Sequence, residues 1–124
     1  MPKTILLFEV KPDKKRIITN ICKSQGICAR EIRPADYLQT LGYLAGISGF
    51  QRKNAVYRGD KLSDEMLVFS GVDSDSLDLF LNAFHASGAA SIDRKAILTL
   101  HNINWTPQQL FAELTKEHQA THLT

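Results

Sequence analysis

The stretch Met66-Leu67-Val68-Phe69-Ser70-Gly71-Val72-Asp73-Ser74-Asp75-Ser76-Leu77 decides the fold class. Four apolar residues in a row are too few for a buried helix and suit a strand covered on both faces. Ser70-Gly71 closes the run, and Asp73 or Ser74 can accept a hydrogen bond from the free N–H groups that open a helix. Beyond it Leu77, Phe80, Leu81 and Phe84 recur at helical spacing and make one apolar stripe. Gly88 then offers the left-handed conformation at which such a helix ends. A buried strand followed at once by an amphipathic helix is the building unit of an α/β fold.

The same unit recurs on either side of this stretch. Upstream, Ile5-Leu6-Leu7-Phe8 with Val10 reads as a first buried strand, and Pro12 sits where a first helical turn tolerates proline. Ile17, Ile18, Ile21 and Cys22 form the stripe of the first helix, with Lys14, Lys15, Arg16, Asn20 and Lys23 expected to face water and Gly26 to stop it. Ile27-Cys28-Ala29-Arg30-Glu31-Ile32 reads as a second strand whose charges suit an edge. Pro34 is expected to open a second helix, with Tyr37, Leu38, Leu41, Leu44 and Ala45 on its apolar side. Residues 49–65 are polar and read as a mobile loop. Downstream, Lys95 to Leu100 is the fourth strand, and Thr106-Pro107-Gln108-Gln109 is a capping box with proline at the first helical position. The last helix buries Leu110, Phe111 and Leu114 and is expected to fray from His118 to Thr124.

Four strand–helix units predict one α/β domain over residues 1–124, in three layers. Its sheet is expected to be four-stranded and mainly parallel, in the order 2-1-3-4, flavodoxin-like in miniature. The apolar strands near Thr4 and Met66 should be central and the charged ones at the edges. An α+β ferredoxin-like sandwich with antiparallel pairs is the alternative.

A chain of 124 residues can bury about two-thirds of its unfolded surface, so it needs neither metal nor disulfide to hold a core. With 44% hydrophobic and 23% charged residues it has a globular balance. A net charge of only +2 argues against nucleic acid as the partner. No apolar run approaches the ~20 residues that span a bilayer, and the N-terminal stretch lacks the layout of a signal peptide, so the expected location is the cytoplasm. There Cys22 and Cys28 should be reduced, and both are expected to be buried and inert. Their spacing is no zinc pattern, and His85, His101, His118 and His122 offer no ligand set, so no metal is expected. Glycine-rich nucleotide fingerprints are absent, no cofactor is expected, and no catalytic set emerges.

In open parallel sheets, ligands bind beyond the carboxyl ends of the strands. Four segments should converge there: Lys11-Pro12-Asp13, Arg33-Pro34-Ala35-Asp36, Ser70-Gly71-Val72-Asp73 and His101-Asn102-Ile103-Asn104-Trp105. The candidate ligand-binding residues are Asp13, Asp73, His101, Asn102, Asn104 and Trp105, which offer carboxylates, amides, an imidazole and an indole. Helix N-termini at Pro12, Ser74 and Pro107 would favour an anion. The same residues have plain structural uses, with Trp105 as a hydrophobic staple and the asparagines as turn formers. A separate interaction surface is expected around Gly42, Tyr43, Gly46, Phe50 and Tyr57, where two glycines four apart allow a close approach. The leading expectation is therefore a non-enzymatic module that contacts a partner protein, with homodimerisation left open. A binder of a small anionic ligand, or a minor enzyme, is the alternative.

Several segments together resemble a known family. They are Gln39-Thr40-Leu41-Gly42-Tyr43-Leu44-Ala45-Gly46, Glu65-Met66-Leu67-Val68-Phe69-Ser70-Gly71, Lys95-Ala96-Ile97-Leu98-Thr99, Asn104-Trp105-Thr106 and Leu110-Phe111-Ala112-Glu113-Leu114-Thr115-Lys116-Glu117-His118. The combination is similar to a small bacterial family of single-domain proteins described only as a domain of unknown function. The resemblance spans nearly the whole chain and implies no activity, cofactor or catalytic residue. Thr99-Leu100-His101-Asn102 departs from the Thr-Pro-x-Asn expected after the fourth strand.

Overall fold

Strand β1, Thr4–Phe8, is buried along its whole length, and so is β3, Met66–Ser70. The computed structural model describes residues 2–123, with side chains through His118. Its other elements are α1 (Pro12–Gln25), β2 (Cys28–Ile32), one turn of 3-10 helix (Pro34–Asp36), α2 (Leu41–Leu44), α3 (Ser74–Ala86), β4 (Arg94–Ile97) and α4 (Pro107–Leu123). Alternate residues of the central strands face opposite layers, as the two-residue strand period requires. Ile5, Leu7, Leu67 and Phe69 pack under α1 and α3 with Ile18, Cys22, Phe80 and Phe84. Leu6, Phe8, Met66 and Val68 pack on the other face with Tyr37, Leu41, Leu44 and Leu110. Each such apolar side chain contributes about 1.5–3 kcal/mol when taken out of water, which is why these two runs form the centre.

The α/β class, the three layers and the order β2-β1-β3-β4 are as the sequence predicts. Two of the neighbouring pairs, β1 with β2 and β3 with β4, are parallel. The central pair, β1 with β3, is antiparallel, so the sheet is mixed. Phe8 is opposite both Ile32 and Met66, so the chain between β2 and β3 leaves and re-enters the sheet at the same edge. The cause lies in the expected second helix, which does not form as one unit. Pro34–Asp36 makes a single 3-10 turn, and Thr40 then adopts extended backbone and caps the four-residue α2 by accepting the Tyr43 N–H. Gly42 and Gly46 weaken this segment further. With only one helical turn, the connection is not the crossover helix that joins parallel strands.

Two expectations about single side chains also change. Lys14 does not face water: it is buried, with its Nζ 2.7 Å from Glu65 Oε1. It lies on the buried row of α1 with Ile18 and Cys22. Cys22 is buried as expected, and that burial, then the neighbouring Cys28, pushes its thiol up to about 11. Cys28, by contrast, is exposed on edge strand β2. The local end signals hold. Gly26 takes the left-handed conformation after α1 with φ of 68°, and Thr106 and Gln109 exchange the bonds of a capping box. α4 is helical to Leu123, and the fraying expected at its end involves side chains outside the described residues.

Candidate functional site

The antiparallel central pair divides the expected site. The carboxyl ends of β1 and β2 lie at one edge of the sheet and those of β3 and β4 at the other, because Thr4 is opposite Ser70. The four strand-end segments therefore do not converge. Asp13 is exposed in the first turn of α1 at one edge. Asp73 is at the other, where it caps α3 by accepting the Ser76 N–H at 2.7 Å. Lys3 follows Asp73 to that edge and donates from Nζ to Ser76 Oγ.

The edge at the end of β1 carries a polar cluster that sequence reasoning missed. Glu65 holds Lys14 with one oxygen and accepts the Lys11 N–H with the other, at 2.9 Å. Tyr37, fully buried, donates its hydroxyl to Glu9 Oε2 at 2.7 Å. Burial and then this carboxylate raise the phenol far above its ordinary value. Glu9 has φ of 56°, the left-handed region where a residue with a side chain is strained. One signal for Lys14 was present in the sequence, its place four and eight residues before Ile18 and Cys22.

His101, Asn102, Asn104 and Trp105 stay together at the opposite edge, in a tight turn after β4. Asn102 is buried and accounts for the turn's shape. Its Oδ1 accepts the Thr99 N–H and its Nδ2 donates to Ile97 O. The Leu98 N–H points inward to Phe69 O, so Ile97 O is on the outer side of the edge strand, and Asn102 covers it. Asn104 is exposed. Trp105, half-buried, joins the cluster that contains Leu110, the pairing of a hydrophobic staple. Its ring meets that of exposed His101 edge-on, with centroids 5.1 Å apart. These two rings, Lys95, Ala96, Asn102, Leu110, Glu113, Leu114 and Glu117 line a cleft of about 260 Å3 between β4 and α4.

Of the expected interaction residues, Gly42 lies against this turn. The Leu41 N–H donates to Trp105 O and the Gly42 N–H to Ile103 O. Gly42 is buried, and a Cβ there would come within 2.9 Å of Ile103 and Phe50. The close approach that its lack of a side chain allows is thus to the chain itself. Gly46, with φ of 78°, is exposed beside the Arg30 guanidinium, which donates to Leu44 O. Residues 50–58 cross this region without regular structure and are fastened to it. The buried Gln39 amide bonds the backbone of Lys53 in both directions. The Tyr57 N–H donates to Ala35 O, and its ring lies 5.9 Å from that of Tyr37. Arg52 pairs with Asp36 at 3.0 Å and stands 6.0 Å over the Tyr43 ring. Tyr43, Phe50 and Tyr57 are half-buried, and Arg30, Arg33, Arg52, Lys53 and Arg58 are exposed.

The helix N-termini hold acceptors from the chain itself: Glu65 at α1, Thr40 with Ile103 and Trp105 carbonyls at α2, Asp73 at α3 and the capping box at α4. Among the described residues no group of three or more His, Cys, Asp or Glu could hold a metal ion, and no helix is long and apolar enough to cross a membrane. No curated protein and no solved structure matches the chain. Residues 65–121, from the start of β3 into α4 and including the whole cleft, match the model of a family described as a domain of unknown function (DUF3783), and residues 1–64 lie outside that match.

Proposed function

We propose that this domain is a non-enzymatic interaction module that docks an acidic surface of a partner protein on the face formed by α2 and residues 50–58. One observation carries the reading: a polar segment with no regular structure is fastened beside α2 by the Gln39–Lys53 and Tyr57–Ala35 bonds, with the Arg52 guanidinium over the Tyr43 ring. Tyrosine and arginine are the residues that most often dominate binding energy at protein interfaces. Because backbone bonds and the buried Gln39 already order the segment, docking there loses little further conformational entropy. The charge supports an acidic partner, since the first 64 residues carry twelve Lys and Arg against six Asp and Glu. On this reading the protein works in a bacterial cytosol, where exposed Cys28 stays a thiol.

The test is capture of partners from a nuclease-treated lysate of the source organism, with the wild-type chain and a Lys53→Glu/Arg58→Glu variant as parallel baits. Both side chains are exposed, and the Gln39 clip uses only the backbone of Lys53. The expected result is an acidic protein retained by the wild type, lost with the variant and released by moderate salt. Identical retention by both baits, or a partner lost to nuclease treatment alone, overturns the reading.

A further inference from the structure

The cleft between β4 and α4 has the composition of a different kind of site, with the opposite charge preference. Arg94, Ala96 and Leu98 alternate along the α4 side of β4, and Ala96, the smallest of the three, lines the cleft. Leu110 and Leu114 add apolar lining, the His101 and Trp105 rings meet edge-on at the turn after β4, and Glu113 and Glu117, one helical turn apart on α4, add carboxylates. Lys95 also lines the cleft, with its ammonium donating to Ile92 O at 2.6 Å. The chain supplies its own example of what this helix accepts. The Arg94 guanidinium lies 4.6 Å over the Phe111 ring and bonds Thr115 Oγ1, with Asp64 as its counter-ion.

We propose that this cleft binds one organic cation on an apolar stem, such as a lysine or arginine side chain or a small alkylamine. The stem lies on Ala96, Leu110 and Leu114, the charge meets the face of Trp105, and Glu113 balances it. An aromatic face and a carboxylate attract the same cation by separate means, the ring quadrupole and direct Coulomb attraction. A cleft of about 260 Å3 suits a side chain better than a large metabolite. The inference is independent of the proposed docking face, which lies on other residues and prefers anions.

Trp105 is the only tryptophan, so its fluorescence reports the cleft directly. The probes are N-acetyl-lysine amide, N-acetyl-arginine amide, free cadaverine and, as the uncharged control, N-acetyl-norleucine amide. The expected result is a saturable change with cationic probes in the millimolar range and none with the control. Preference for the capped amino acids assigns the site to a peptide side chain, and preference for cadaverine assigns it to a free amine. Glu113→Gln should weaken binding by roughly two- to fivefold, and Ala96→Leu, which enlarges a lining residue, should abolish saturation. Should Ala96→Leu lose its circular dichroism, the rim variant Glu113→Gln carries the test. An equal response to the norleucine control, no saturation with any cation, or an unchanged affinity in Glu113→Gln overturns the proposal.

Discussion

The Lys14 ammonium sits inside the molecule because its row on α1 is the row of Ile18 and Cys22, which packs on the sheet. Burying a charge there is costly unless a counter-ion is present, and Glu65, immediately before β3, is that counter-ion at 2.7 Å. Burial of both side chains makes the pair a poor source of net stability, yet each partner depends on the other. Lys14→Met and Glu65→Leu should each destabilise the fold by about 3–5 kcal/mol, because each strands a buried charge. The double variant should lose far less than the sum. Urea denaturation of the four proteins measures this, and strict additivity would show that the two groups do not depend on one another. The sequence held half of this feature. The position of Lys14 in the helical row was readable, but its partner is 51 residues away and becomes visible only once β1 and β3 are known to run antiparallel.

At the scale of elements, the readable features were those written locally. The strand–cap–helix run around Asp73 and the Thr106 capping box are fixed by neighbours three residues apart, within reach of a sequence pattern. The second helix was not readable in this way, because its apolar spacing continues through Thr40, where the backbone breaks to cap a new turn. That short turn also separates Asp13 from Asp73 by a whole sheet, which spacing could not reveal. Asp73 is therefore best tested as a cap. The Ser76 N–H first, then the Ser76 hydroxyl and the Lys3 ammonium, hold its carboxyl below the usual carboxylate range. A lowered folded-state pKa contributes stability above the unfolded value, about 3.9, and that contribution is lost as pH falls through the folded value. Asp73→Asn keeps an acceptor at the cap but cannot titrate. The stability advantage of the wild type over Asp73→Asn should thus be present at neutral pH and shrink toward zero in strong acid. Denaturation of both proteins across this range reads the difference, and a gap that stays constant with pH would remove the carboxylate from the account.

For the whole molecule, net charge is a misleading summary. The first 64 residues carry twelve cations and six anions, whereas residues 65–124 carry three cations and seven anions. The order β2-β1-β3-β4 puts β2 at one edge of the sheet and β4 at the other, while Lys14–Glu65 and Asp64–Arg94 pair across the two halves. A domain of this length has a radius of gyration of about 14 Å, more than the ~10 Å Debye length in 0.1 M salt. Exposed charges on the two outer strands are therefore largely screened from each other. This is why a formal +2 excludes less than it first suggests, and why the proposed face for anions and the proposed cleft for cations are compatible in one chain. The prediction is made at the isoelectric point of about 8.6, where the chain has no net charge. At low salt the protein should still be retained by both a cation exchanger and an anion exchanger. Lys53→Glu/Arg58→Glu should lower the salt needed for elution from the cation exchanger, at a pH readjusted to the variant's own isoelectric point. Passage of the wild type through both columns without retention would mean that the halves are not presented separately.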